Sequence, residues 1–336
     1  MSRPVEWYRS ERPLQPGGEP KPSVSRAIRN WLRDRLPEPD VRDKTIVLHA
    51  RQGFRKLSAW AGMFSEFHSV LGALAYAEAH RAAGVRVDFR SPLYLDVERG
   101  PNWWTYFFQR AEMPIRAGSA AAGEIHLNGV LAKYGRHGGF CDVVNGTTPY
   151  LYPMTYGVGR TEVHRLLQTY IELRPEIREE AARIVARSFE RDGFVVGVHY
   201  RGTDSTHGLA GALADYRTMP VPYAAYVDEV RRVIAAAAPA RCQIAVATDE
   251  IEFLEFMRRA FPDRVLCVED APRVHAGGTA IHFDPTLGVS NYQKGKSGLI
   301  DCLLLAATSY LVKGRSNLSD ASLAFNPRLP YSFCVR

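Results

Sequence analysis

The chain has 336 residues, 46% of them hydrophobic, and a formal net charge of +7, a length that allows two domains of ordinary size. No run approaches the roughly 18 apolar residues that a membrane span requires, and Cys141, Cys242, Cys267, Cys302 and Cys334 never form a CxxC, which argues against a disulfide framework or a zinc site. The basic residues are mostly Arg and form no dense stripe, so the charge disfavours a nucleic-acid partner and suits an anionic small molecule, because Arg grips phosphate through two parallel N–H donors.

Residues 1–43 lack the apolar core of a signal peptide and read as a partly disordered leader. A cytoplasmic protein with no membrane span is the expectation. The first α/β half, residues 44–190, opens on the strand "KTIVLHA" (44–50). A helix follows over "GMFSEFHSVLGALAYAEAHRAAG", where Phe64, Phe67, Leu71, Leu74 and Ala75 recur at helical spacing and Gly84 is a natural stop. "VRVDFRS" (85–91) reads as a second strand, and the aromatic "SPLYLDVERGPNWWTYFF" as loop with a short helix. Residues 114–160 are Gly-rich with one short strand near "EIHLNG", and the helices "RTEVHRLLQTYIEL" and "RPEIREEAARIVARSFE" close this half, Pro175 sitting in a first turn.

The second half, residues 191–315 with a completing segment at 316–336, starts on the strand "GFVVGVHY". Then come the helix "PYAAYVDEVRRVIAAAA", the strand "CQIAVAT", the helix "EIEFLEFMRRAF", the strand "RVLCVE", the helix "SGLIDCLLLAAT" and the strand "SYLVKG". Strand and helix in this alternation predict an α/β fold with a parallel, Rossmann-like sheet in each half.

Three strand ends in the second half break into polar chemistry. "VVGVHYRGTDS" ends on His199 and Arg201, two residues apart and therefore on one face of a strand. A core histidine beside an arginine paired with Asp204 is the structural alternative. "ATDE" ends on Asp249, which with Glu252 also has the spacing of a capping box. "VKGRSNLSDASLAF" offers Ser316, Asn317 and Ser319 ahead of a short helix. Such residues can present donors to a phosphate, or Ser319 can simply cap the helix. Together these ends describe a nucleotide-diphosphate site. The sequence has no DxD triplet, no GxxxxGK[ST] and no GxGxxG after a strand, so no metal is expected and Arg201 carries the neutralisation of the leaving diphosphate.

The order "GVHYRGTD", "ATDE", "GLIDCLLLAATSYLVKGRSNLS" resembles the GDP-fucose-dependent fucosyltransferases related to the α1,6 enzymes, whose H-x-R-x-T-D-like motif is met by His199, Arg201, Thr203 and Asp204. The resemblance covers residues 44 to 330 and extends more distantly to protein O-fucosyltransferases. It implies a GT-B architecture, two Rossmann-like domains with a cleft between them, and inverting transfer from a nucleotide-sugar donor to a glycan or glycoconjugate acceptor. It further implies Arg201 on the donor phosphates, His199 and Asp249 near the guanine–ribose end, and Ser316 with its neighbours at ribose or phosphate. Gly62 would admit backbone close to the diphosphate. Close relatives have Lys and Glu after the motif where this chain has Ser205 and Leu209, so the acceptor-activating base lies among Asp204, His207 and Asp215. A transferase for another nucleotide sugar, or a catalytically silent nucleotide- or glycan-binding protein, would fit the same scaffold.

Overall fold

The computed structural model describes residues 40–50, 62–116, 121–128, 142–143, 155–156, 160–203, 221–314 and 316–334. Asp204, Ser205, His207, Leu209 and Asp215 therefore lie outside the described residues. The chain divides into two compact units that are not continuous in sequence. Of the described residues, one unit takes 40–50, 65–90 and 110–172, and the other takes 62–64, 91–109 and everything from Leu173 onward.

The first unit is built on a four-stranded sheet ordered β3-β2-β1-β4, with β1 Thr45–His49, β2 Gly84–Asp88, β3 Glu112–Pro114 and β4 Glu124–Asn128. β1 runs parallel to β2 and β4, while β3 is an antiparallel edge. Alternation along β2 sorts its faces, Val85 and Val87 being buried while Arg86 and Asp88 keep contact with solvent, and the central β1 buries Ile46, Val47 and Leu48 on both faces. Helix α1, Met63–Ala79, buries nearly every side chain, including Glu66 and His68. Helix α2, Arg160–Tyr170, joins it through Arg165 and Tyr170, which both bond Glu78. The helix stop expected at Gly84 falls elsewhere. α1 ends at Ala79, Arg81 takes a positive φ of 58°, and Gly84 opens β2. Gly84 is needed there for close strand packing, since a Cβ would sit 2.9 Å from the Met113 carbonyl oxygen. Two short strands, β5 Asp142–Val143 and β6 Thr155–Tyr156, pair antiparallel.

The second unit carries a wholly parallel five-stranded sheet ordered β11-β10-β7-β8-β9. Its strands are β7 Phe194–Tyr200, β8 Cys242–Thr248, β9 Val265–Leu266, β10 Tyr310–Lys313 and β11 Tyr331–Phe333. Counted within the unit from β9 to β11 this is the order 3-2-1-4-5, the winding of a Rossmann sheet, and it reverses between β7 and β10. In such sheets ligands bind beyond the carboxyl ends of the strands at that reversal. The connecting helices are α3 Pro175–Ser188, α4 Tyr223–Ala237, α5 Ile251–Ala260, α6 Asn291–Ala306 and α7 Asn317–Phe325. The strand expected over "RVLCVE" shrinks to Val265–Leu266, as befits an edge.

The aromatic stretch 91–109 packs into this second unit. Trp103, Trp104, Phe107 and Phe108 are fully buried; Trp104 stacks on Phe108 and Phe107 on Tyr292 of α6. Each such side chain contributes about 1.5–3 kcal/mol relative to exposure. Trp103 donates its indole N–H to Ser91, and Asn291 of α6 donates to the carbonyls of Pro92 and Leu95. α6 lets the stretch approach because residue 295 is Gly: a Cβ there would meet the Phe107 ring at 2.7 Å and the Met63 methyl at 2.9 Å.

Candidate functional site at the carboxyl ends of β7, β8 and β10

The parallel register sets the heights of the site residues. His199 pairs with Lys313 of β10, and Tyr200 pairs with Thr248 of β8. Arg201 and Asp249 thus follow their strands at one level, just past the last ladder pair. His199 is buried, at 5% exposure, and its Nδ1 has no hydrogen-bond partner among the described residues. Burial, then the positive charges of Arg201 and Lys313, pushes its pKa down to about 3. It is a neutral imidazole with an open nitrogen, which is not what a satisfied core histidine looks like.

Behind it lies a buried ion pair. Lys313 is completely buried and its Nζ donates to Asp320 Oδ1 at 2.5 Å, under the Phe333 ring at 4.4 Å. Asp320 stands in the first turn of α7. The pair therefore locks the start of that helix to the end of β10, and removing one partner of such a pair typically costs about 3–5 kcal/mol. The serines divide their work differently from the sequence expectation. Ser316, not Ser319, is the N-cap, its Oγ accepting from the Leu318 N–H at 3.3 Å. Ser319 is fully buried and donates to the Ser316 carbonyl at 3.1 Å. Asn317, half-buried, opens the helix.

Asp249 makes no cap. The residue at the N-cap of α5 is Glu250, without a side-chain bond, and Glu252 instead holds His275 and the Ala276 N–H. The carboxylate of Asp249 reaches across to the neighbouring strand end. Its Oδ1 accepts from the Gly202 N–H at 2.9 Å and its Oδ2 from the Thr203 hydroxyl at 2.7 Å. Both bonds fall on the two residues after Arg201. Beside this clamp the Glu250 carboxyl is buried, its Oε1 has no partner among the described residues, and burial followed by the charge of Glu252 raises its pKa.

Gly62 has no steric reason of its own. Among the described residues an added Cβ would meet only the Tyr94 hydroxyl, at an ordinary 3.7 Å. The neighbouring Met63 N–H donates to that same hydroxyl.

One residue escaped the sequence reading. Asp301 lies on α6, one turn before Leu305, whose side chain packs against Gly197 of β7. A helical turn of about 5.4 Å spans nearly two strand residues, and a helix joining parallel strands runs antiparallel to them. Asp301 therefore stands near the height of His199. It is half-buried, and its carboxylate has no hydrogen-bond or ion-pair partner among the described residues. Burial pushes its pKa up to about 7, opposed by the charge of Arg273. Arg273 donates through its two Nη atoms to the carbonyls of Val268 and Ala271, at 2.8 and 3.2 Å, while its buried Nε has no partner among the described residues. The available signal was a lone acid inside "GLIDCLLLAAT", on the face that Leu305 turns to the sheet.

Among the described residues no group of three or more His, Cys, Asp or Glu side chains could hold a metal ion, and no helix is long and apolar enough to cross a membrane. No known family model and no curated protein matches the chain. Solved structures do. NodZ α-1,6-fucosyltransferase co-crystallised with GDP superimposes with a TM-score of 0.50 at 17% sequence identity, covering 85% of this chain and 93% of that one. The selenomethionine form of the fucosyltransferase NodZ from Bradyrhizobium gives a TM-score of 0.50 at 17% identity, with the same 85% and 93% coverage. The resemblance first read from "GVHYRGTD", "ATDE" and the Ser-rich strand end is thus matched in three dimensions: the chain has the GT-B α/β fold of the NodZ α-1,6-fucosyltransferase.

Proposed function

We propose that the chain is a metal-independent, inverting glycosyltransferase of the cytoplasm that moves fucose from GDP-fucose to a hydroxyl of a glycan or glycoconjugate. The observation that carries this reading is the end of β7, where Arg201 leaves the sheet on a clamped turn beside the start of α7, at the strand-order reversal. A guanidinium and the positive end of a helix are what a departing diphosphate needs as its charge grows. The GDP-bound NodZ structure shares the fold.

Asp301 accounts for the base. A carboxylate accepts two parallel N–H bonds, and guanine offers an adjacent imino and amino N–H on one edge where adenine does not. Neutral His199 can donate or accept through its open nitrogen without adding charge near the base or ribose. The unforced glycine at 62 leaves room for the diphosphate to approach backbone. Transfer itself is one displacement: the sugar hydroxyl attacks the anomeric carbon from the face opposite the diphosphate, and the C–O bond to phosphate breaks. The hydroxyl proton passes to a base for which Asp204, His207 and Asp215 stand as candidates. Incubation with GDP-fucose and a panel of oligosaccharides, in excess EDTA, should release GDP and give an α-linked product. No GDP release with any acceptor, combined with turnover of a UDP- or ADP-linked sugar, would refute the donor assignment.

A further inference from the structure

We propose that Asp249 is a positioning residue which pre-forms the Arg201 turn, and that it acts on the donor only through Arg201. The inference rests on the functional reading above for its catalytic half, and on geometry alone for the rest. β7 ends at Tyr200, so no sheet ladder fixes the backbone of 201–203. The carboxylate at the end of the adjacent strand holds it, its two oxygens accepting from the Gly202 N–H and the Thr203 hydroxyl at 2.9 and 2.7 Å. Hydrogen bonds to an ionised acceptor are the strong kind, and two on consecutive residues fix both position and orientation.

The turn is also held from the side. A Cβ on residue 202 would be driven into the Glu250 carboxyl, with Cδ at 2.7 Å, and would come within 3.0 Å of the Tyr200 ring. A side chain at 202 would have to displace the buried Glu250 carboxyl. Asp249 is free for this task because α5 does not use it as a cap. Its own backbone is anchored too, its carbonyl accepting from the Val274 N–H at 2.9 Å. The clamp is therefore braced on the loop that carries Arg273.

The substitutions separate positioning from direct donor contact. Asp249→Asn can keep both bonds: the amide oxygen accepts from Gly202, and the amide N–H donates to the Thr203 hydroxyl, which can accept. Asp249→Ala loses both, and Thr203→Val loses one. Positioning predicts that the Ala variant loses about 10²-fold in turnover, the scale of an ångström-sized misplacement, while Asn retains most of it. It also predicts that Asp249→Ala costs nothing further once Arg201→Ala is present, since coupled residues are non-additive. Amide exchange read on Gly202 in the full chain without nucleotide should accelerate in Asp249→Ala and Thr203→Val and stay slow in Asp249→Asn. Additive losses in the Arg201/Asp249 double variant, or Gly202 protection unchanged in Asp249→Ala, would overturn the proposal. A wild-type chain that neither binds GDP nor consumes GDP-fucose defeats the functional reading instead, and with it the catalytic half of this one. The exchange measurement needs no nucleotide, so it still decides the clamp.

Discussion

Arg201→Ala should lower transfer from GDP-fucose by about 10²–10³-fold, the usual loss when one preorganised donor to a developing oxyanion is removed, with the melting temperature little changed. Arg201 is half-buried at the end of β7 rather than in the core, so its truncation leaves no cavity among the apolar side chains of the sheet. Arg201→Lys keeps the charge but not the planar fork. It should restore GDP affinity further than it restores turnover, because the fork matters most when the leaving oxygens gain charge. A purely structural arginine gives the opposite pattern: both variants melt earlier, and the folded fraction of each retains its specific activity. Turnover and melting measured on the same preparations separate the two outcomes.

Asp301→Asn should act in two directions. A carboxyl whose folded pKa is raised to about 7 from an ordinary 3.8 binds its proton more tightly in the folded state than in the unfolded one. Stability is therefore lost as pH rises between those two values and stays lost above about 7. The Asn variant carries no such charge, so at pH 8 it should melt higher than the parent, and near pH 4 the two should converge. GDP affinity should move the other way. The parent should bind GDP more tightly as pH rises through about 7 and the carboxylate forms; the Asn variant should bind weakly throughout, with that pH dependence gone. Equal GDP affinity for parent and variant at pH 8 would remove Asp301 from the base site. Equal melting at pH 8 would mean that its charge finds a partner in the free protein.

Much of the second unit was legible because its three central strands, β7, β8 and β10, are mostly apolar runs of four to seven residues, as buried parallel strands must be, whereas the short edge strand β11 gave no such signal. The helices between them were legible from their period. What periodicity cannot supply is strand order, since any of the runs at 194–200, 242–248 and 310–313 could have been central. Only the pairing of β7 with both β8 and β10 puts "VVGVHY" at the reversal, and with it His199 and Arg201. The role of Asp249 was hidden by a pattern with two physical meanings. An acid three residues before Glu252 has the spacing of a capping box, and nothing local says that it bonds a turn 46 residues upstream instead. Ser316 and Ser319 posed the same problem at shorter range: both can cap, and the buried Lys313–Asp320 pair sets where α7 begins. Asp301 was masked by its company. In "GLIDCLLLAAT" one acid reads as the solvent side of a helix until Leu305 is seen against Gly197. The aromatic stretch 91–109 was read as loop with a short helix, and its burial went unread because its docking on α6 depends on Gly295, some 190 residues away, which a local reading cannot connect.

The proposed function depends on what the strand ends around Arg201 recognise. Calorimetric titration of the full chain in excess EDTA, at pH 8, with GDP, ADP, UDP and CDP in turn tests this most directly. On the proposed function Asp301 would select for guanine, while Arg201 and the start of α7 would supply the positive field in place of a metal. GDP should bind at one site per chain, more tightly than the other three, and Arg201→Ala should weaken it. Indistinguishable affinities for all four nucleotides, or GDP binding that appears only when Mg²⁺ or Mn²⁺ replaces the chelator, would contradict the account.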